Sequence, residues 1–454
     1  MQFDQSVFLN IYSLSYEPSW CCHLKPKKRS QRHHLFSTLN CQTVHKPRIP
    51  MKSATLCSIP QAYALSHTKS FSSHSTKGTQ WTHPRTGKKK FVSGELPYGW
   101  EKKMDEATGT TVFWDSENDR TTFTDPRLAF ATEEKNHKDD FRQRFDSSST
   151  AFQVILHGRD LTGNTALITG CNTGIGYETA RSLARHGCKI IMACRNLNEA
   201  KKAINTISAE KKKAGDLCVP MKLDLSSLND VRLFAAESIT VLPAPDNMII
   251  LNAGVFGLPY SVTEDNYETT FQVNHLSHLY LALLLEPLLD AGSRVIFVSS
   301  ESHRFAKFPV PNDKLSAEAL SPGPEDYGDM TAYNNSKLCN VMCARVLAGK
   351  WAPKRIYVNA LHPGNMVSSS LSRNWWLYRF IFSIVRPFTK SLQQAASTSV
   401  YCATALELEE TTGLYFNNCY PCEMSAPARD DETAVPHSKL QKDVVHSYLT
   451  LSYR

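Results

Sequence analysis

No uninterrupted apolar run in this 454-residue chain reaches the roughly 18–20 residues that a membrane-crossing helix needs. The greasiest stretch, NWWLYRFIFSIVRPF (374–388), is broken by Arg379 and Arg386. That leaves a buried helix or pocket lid, or a segment lying on a membrane surface. Acids are missing from one long region: residues 18–94 hold 14 Lys or Arg and no Asp or Glu. The formal charge of +8 therefore sits on an N-terminal arm, and the rest of the chain is net negative. A nucleic-acid-binding domain is not implied. The 13 cysteines form no CxxC…CxxC framework and follow no secretory signal. Several, such as Cys188 and Cys194, lie in apolar strand-like runs, so they read as reduced, buried thiols of a cytoplasmic or nuclear protein, with no metal site.

What is present suggests two or three domains. Residues 1–76 are rich in Ser, His, Lys and Pro and lack a sustained apolar period, so a disordered basic arm is expected. The same composition suits a mitochondrial transit peptide, against which stand Asp4 and weak amphipathicity. Lys88–Lys90 is a minimal basic cluster of the nuclear-import kind.

Residues 94–127 contain short β-prone runs, TTVFW and RTTF, separated by the turn segments EATG and DSEND. Trp100 opens the segment and Pro126 closes it, and their packing would clasp three strands too short to bury a core unaided. The segment resembles a WW domain, a module that binds proline-rich peptides in an aromatic groove. That resemblance places the peptide groove on Phe123, Val112 and Ser116, where the family has Trp, Tyr and His. Phe123 loses the indole donor and Val112 half of the aromatic cradle, so a folded module with weak or absent binding of PPxY-type peptides is expected. Upstream, Trp81 and Pro84 within residues 77–90 resemble the last strand of another WW domain, a remnant with no strands one and two ahead of it. Residues 128–156, charged and then Ser/Thr-rich, read as a linker.

From 157 to 425 the texture changes. Strand-like runs (TALIT, KIIMA, LCVPMKL, NMIIL, RVIFVS, RIYVNAL, GLYF) alternate with helical periods at 175–186, 226–240, 266–289, 334–350 and 391–408. This alternation predicts an α/β domain, a doubly wound parallel sheet of Rossmann type, with function at the carboxyl ends of the strands. A tail, 426–454, follows.

TGCNTGIG (169–176) comes after the first strand and opens a helix. Gly170, Gly174 and Gly176 allow a sharp turn and close approach to a pyrophosphate, and Cys171, Asn172, Thr173 and Ile175 complete a loop whose backbone N–H groups meet it. In YNNSK, Tyr333 and Lys337 stand at i and i+4 on one helix face. The spacing TGxxxGxG resembles the short-chain dehydrogenase/reductase family, and further motifs match in order. These are Asp224 and Leu225 after the third strand, Asn252, Ala253 and Gly254 closing the fourth, Ser300 closing the fifth, Asn274 on the intervening helix, and Pro363 and Gly364 after the sixth. The resemblance implies a tetrad for alcohol–carbonyl interconversion by hydride transfer. In it Tyr333 is the general acid/base, and Lys337 lowers its pKa and binds the nicotinamide ribose. Ser300 orients the substrate carbonyl, and Asn274 holds a water linking Lys337 to solvent. The second strand ends MACRN without an acid, and Arg195 suits a ribose 2′-phosphate, so the expected cofactor is NADP(H).

Between Ser300 and Tyr333 lies an insert expected to form a flap at the substrate mouth. It and the ACRN strand end resemble the retinol-dehydrogenase-like branch of the family. With Trp375, Trp376, Tyr378 and Phe380 they suggest an apolar steroid, retinoid or lipid substrate. The alternative is a signalling adaptor whose reductase domain serves as cofactor sensor while the WW arm finds proline-rich partners. The helices at 266–289 and 334–350 suit a homodimer seam as in many relatives, and burial within one chain accounts for their apolar faces equally well.

Overall fold

The computed structural model describes residues 96–105, 109–127, 141–156, 160–241, 247–308, 319–364 and 390–430, with the backbone of residues 71–72, 79–80, 90–91 and 132–133. The arm before residue 71, Trp81 and Pro84, the apolar segment 374–388 and the chain beyond 430 lie outside the described residues. Two short antiparallel pairs come first: β1 (Phe71–Ser72) with β2 (Thr79–Gln80), and β3 (Lys90–Phe91) with β7 (Thr132–Glu133). A strand therefore does stand upstream of the 77–90 segment. At two residues it is too short for an alternation to be visible in sequence.

Between β3 and β7 lies a three-stranded antiparallel sheet, β4 (Trp100–Met104), β5 (Thr111–Asp115) and β6 (Arg120–Thr122). Period-2 alternation sends Phe113 and Asp115 to one face, where both are buried, and Val112 and Trp114 to the other. The Asp115 carboxylate accepts from Asn118 Nδ2 (2.8 Å), Arg120 Nε (3.0 Å) and the amides of Glu117 and Asn118. Burial raises its pKa, but these bonds outweigh it and hold the group below the usual carboxylate range. Ser116 donates to the Gly99 carbonyl at 2.8 Å and so closes the module. Phe123 is 68% exposed. The face it shares carries a residue the motif comparison missed: the Lys103 ammonium stands 3.1 Å from the ring centre of Trp114.

This small sheet rests on the larger domain. Lys211 Nζ bonds Glu117 at 2.8 Å and lies 4.6 Å from the Tyr98 ring centre, while Tyr98 packs on His186 at 6.0 Å. Gly187, with φ of 90°, permits the approach, since a Cβ there would lie 3.0 Å from Tyr98 Cε2.

The larger domain is an eight-stranded sheet in the order β10-β9-β8-β11-β12-β13-β14-β15. Its strands are β8 (Thr165–Thr169), β9 (Lys189–Cys194), β10 (Cys218–Lys222), β11 (Asn247–Leu251), β12 (Arg294–Val298), β13 (Tyr357–His362), β14 (Tyr415–Asn417) and β15 (Tyr420–Cys422). The first seven in that order are parallel and β15 returns antiparallel to β14. Helices cover both faces, so the strands are mostly apolar on both sides, with polar residues such as Lys189, Arg294 and Asn359 the exceptions. Ile190, Ile191 and Met192 are all fully buried, and each such side chain contributes roughly 1.5–3 kcal/mol.

The helices are α1 (Ala151–Leu156), α2 (Gly174–Ala184), α3 (Leu197–Glu210), α4 (Lys212–Asp216) and α5 (Leu228–Val241). Then α6 runs from Thr269–Phe271 through a π-turn at Gln272–Leu276 into Ser277–Leu284, followed by α7 (Asp329–Trp351), α8 (Leu392–Thr404) and α9 (Ala426–Arg429). Leu279, Leu281, Val341 and Met342 on α6 and α7 are buried within this one chain.

Two expected boundaries move. The core begins inside the expected linker, because Phe145 and the α1 residues Ala151, Val154 and Ile155 are buried against α8 and the sheet. Thr150 and Gln153 cap α1 reciprocally: the Thr150 amide donates to Gln153 Oε1 (2.8 Å) and the Gln153 amide to Thr150 Oγ1 (3.2 Å). The core also runs past 425, since Ala428 on α9 is buried and its carbonyl accepts from Arg345.

Candidate active site

The strand order reverses between β8 and β11, and a crevice opens there at the carboxyl ends of the strands. It is a cavity of about 720 Å³, within the usual range for small-molecule sites. Gly170, Asn172, Thr173, Gly174, Ile175 and Gly176 form its floor under the start of α2. Gly170 and Gly174 have φ of 63° and 66°, which only glycine adopts readily. A Cβ on Gly176 would lie 2.5 Å from Asn252 Nδ2 and 2.6 Å from the Gly170 carbonyl oxygen. Nothing larger than hydrogen fits there, and the α2 amides are left open to an anion. Cys171 is fully buried, so it contributes to the loop through its backbone. These residues fit a dinucleotide.

The other expected cofactor residues line the same cavity: Arg195 beyond β9, Asp224 and Leu225 beyond β10, Asn252, Ala253 and Gly254 beyond β11, and Pro363 beyond β13. Arg195 is exposed. Asp224 Oδ1 accepts from the Ser226 amide (3.0 Å) and hydroxyl (2.6 Å). Gly364 has φ of 122°, and a Cβ there would strike the Lys390 side chain.

Tyr333 and Lys337 face this cavity from α7. The Lys337 ammonium is 5.5 Å from the Tyr333 ring centre and donates to the Val298 carbonyl at 3.0 Å. Burial lowers its pKa to about 8. Phe256 meets Tyr333 edge-to-face at 4.9 Å. Ser300 follows β12 and caps the 3-10 turn Glu301–Phe305, its oxygen accepting from the Ser302 amide at 3.2 Å. Its own O–H proton is thereby left to point elsewhere.

Asn274 sits on the π-turn of α6, an irregularity common at functional sites. Its Oδ1 accepts from the Val255 amide (2.7 Å), and its Nδ2 donates to the Val255 carbonyl (2.9 Å) and Ser336 Oγ (3.1 Å). The Ser336 hydroxyl in turn donates to the Tyr333 carbonyl at 2.7 Å. The Asn274 carbonyl accepts from Asn340 Nδ2 (3.0 Å) and has His278 Nδ1 at 3.1 Å. The side chain ties the post-β11 loop to the Tyr333 helix.

Sequence reasoning missed the loop after Gly254. Val255, Phe256, Leu258 and Val262 give the cavity an apolar wall, and the Tyr327 hydroxyl ties down that loop by donating to the Leu258 carbonyl at 2.8 Å. The adjacency of VFGLPY to NAG is the available signal. The insert after Ser300 is anchored where it is described: Asn335 bonds both the amide and the carbonyl of Lys307 at 2.9 Å. A smaller cavity, about 360 Å³, lies at the amino ends of the strands beside Asn164, Arg294 and Arg355, away from these groups. Among the described residues no cluster of His, Cys, Asp and Glu is placed to hold a metal, and no helix is long and apolar enough to cross a membrane.

The glycine-floored crevice and the Tyr–Lys pair on one helix define a short-chain dehydrogenase/reductase, and the short chain dehydrogenase family matches residues 164–310. An uncharacterized protein from Mycobacterium paratuberculosis has a similar fold, with a TM-score of 0.51 and 27% identity over 64% of this chain and 96% of that one. The chain is 57% identical over 367 residues to the WW domain-containing oxidoreductase of Drosophila melanogaster, covering 81% of this chain and 88% of that protein. It is 39% identical over 276 residues to mouse retinol dehydrogenase 12, covering 60% and 84%. The chain belongs to the WW domain-containing oxidoreductases of the short-chain dehydrogenase family.

Proposed function

We propose that the chain interconverts an alcohol and a ketone or aldehyde on an apolar small molecule, using NADP(H). The observation that carries this reading is the buried Lys337 ammonium beside the Tyr333 ring at the glycine-lined crevice. When bound, the dinucleotide supplies or accepts a hydride at its nicotinamide ring. The chain's own groups manage the proton. The Tyr333 hydroxyl gives a proton to the carbonyl oxygen in reduction and takes one from the alcohol in oxidation. A phenol of pKa about 10 is a reluctant donor at neutral pH, and the fixed charge of Lys337 one helical turn away favours the phenolate. The Ser300 O–H orients the substrate oxygen, and Asn274 fixes the loop and helix on either side.

The α2 amides would hold the pyrophosphate, and Arg195 a ribose 2′-phosphate, bidentately. Asp224 would meet the adenine, and Pro363 and Gly364 would stand beside the nicotinamide. The apolar wall of Val255, Phe256 and Leu258 supports a steroid-, retinoid- or lipid-like substrate, as does the likeness to a protein named for retinol oxidation. The WW module would bind PPxY peptides weakly, and a sub-micromolar affinity in a pull-down would refute that part.

The test is NADPH oxidation against a steroid and retinoid panel, with Tyr333→Phe alongside. A positioned acid/base typically contributes 10²–10⁴-fold. Loss of that order with dinucleotide binding retained supports the reading, and equal rates for the two proteins defeat it.

A further inference from the structure

One ring joins the two halves of the site, and nothing in the motif comparison points to it. His278 is fully buried on α6. Its Nε2 lies 3.0 Å from Thr169 Oγ1 and its Nδ1 is 3.1 Å from the Asn274 carbonyl. Thr169 is the last residue of β8, immediately before Gly170. Its Oγ1 also accepts the amides of Asn252 (2.9 Å) and Ala253 (3.0 Å).

The bonds fix their own directions. A carbonyl only accepts, so Nδ1 carries the proton. A buried ring with no acid beside it stays neutral, so Nε2 is bare and the Thr169 hydroxyl must donate to it. The two remaining Thr169 acceptor positions then take the two amides, and every donor and acceptor is used once. The end of β8, the turn 252–254 and the π-turn of Asn274 thus share a single linkage.

We infer that His278 is a positioning residue: as the neutral Nδ1–H tautomer it holds the coenzyme-facing turns, Thr169–Gly170 and Asn252–Gly254, in register with the Asn274 turn that braces the Tyr333 helix. It touches neither coenzyme nor substrate. The inference rests on the proposed reductase reading. Leaving a buried partner unpaired has a cost, and here that cost falls on the turns that form the crevice.

The test is a double-mutant cycle on the full chain, His278→Leu with Thr169→Val, read by the dissociation constant for NADPH and by kcat and KM separately. His278→Leu should weaken NADPH binding about ten-fold, Thr169→Val somewhat more because it also strips the acceptor from the Asn252 and Ala253 amides, and the double variant should lose clearly less than the sum, because the bond between residues 169 and 278 is common to both. Catalysis should fall in kcat with the carbonyl substrate's KM little changed. His278→Gln, whose amide oxygen can still accept from Thr169, should recover part of the loss. Leu279→Ala, a buried neighbour on the same helix, controls for general core damage and should bind NADPH within about two-fold of the unsubstituted chain. Ring ¹⁵N resonances of the coenzyme-free protein should show His278 neutral and protonated on Nδ1.

Additive effects in the cycle, losses matched by Leu279→Ala at equal thermal destabilisation, or the opposite tautomer would each overturn the inference. Failure of the unsubstituted chain to bind either dinucleotide would instead overturn the reductase reading, and is seen separately from loss confined to the variants.

Discussion

Lowering the pH toward 5 should destabilise this protein steeply, because its core holds histidines that cannot accept a proton where they sit. Burial pushes His275 down to about 4 and His278 down to about 3, from an ordinary value near 6.5. The Asn340 and Asn274 hydrogen bonds oppose the shift, and the Lys337 charge adds to it. Between these folded values and 6.5 the unfolded chain binds protons that the native chain refuses, so stability rises with pH and is lost as pH falls below 6.5. Each histidine contributes about 1.4 kcal/mol per pH unit in that window, or roughly 2.7 for the pair.

From pH 6.5 to about pH 5 the loss is on the order of 4 kcal/mol, much of an ordinary domain's 5–15 kcal/mol. His303, lowered chiefly by burial, adds in the same direction, and Glu268, raised by burial, opposes it. Lys337 contributes nothing here, being charged in both states below its folded value of about 8. Urea unfolding followed by far-ultraviolet circular dichroism, from about pH 7.5 to about pH 5, measures the slope. His278→Gln should remove one histidine's share, about 1.4 kcal/mol per pH unit. A flat urea midpoint across the range, or a slope unchanged in the variant, would refute the reasoning.

Gly176→Ala should abolish dinucleotide binding by calorimetry, because its Cβ would meet fixed backbone at 2.6 Å. Arg195→Asp should weaken NADPH by about ten- to a hundred-fold, the scale of lost charge-assisted hydrogen bonds. NADH should be spared, and the ratio of the two Kd values is the readout. Ile155→Ala should cost about 2–5 kcal/mol, the range for a large-to-small change in a packed core, whereas an unstructured linker at that position would give no change in the urea midpoint.

The parallel sheet was legible because its inner strands are buried on both faces and so are written as short apolar runs. The glycine loop was legible because φ near +63° and a 2.5 Å clearance leave little choice of residue. What sequence reading missed depends on contacts between distant residues or on weak local signals. Thr169 and His278 are 109 positions apart, and nothing local to either announces the other. The π-turn at Gln272–Leu276 differs from an ordinary helix by one hydrogen-bond register, which residue periodicity cannot resolve over five residues. The start of the domain was readable in principle: Thr150-x-x-Gln153 with apolar Ala151, Val154 and Ile155 is a capping box on an apolar stripe, masked by the charged and serine-rich residues ahead of it. The edge strand β15, three residues long and led by Asn418 and Cys419 in left-handed conformations, carries no pattern at all.

The Tyr98 and Glu117 side of the small module rests on the turn leading into β9 and on Lys211, both at the amino ends of the strands. The crevice opens at the opposite ends. The two surfaces therefore stand back to back, and a peptide lying across Val112 and Trp114 has no need to displace a nucleotide. Any influence of one surface on the other must travel the length of the strands.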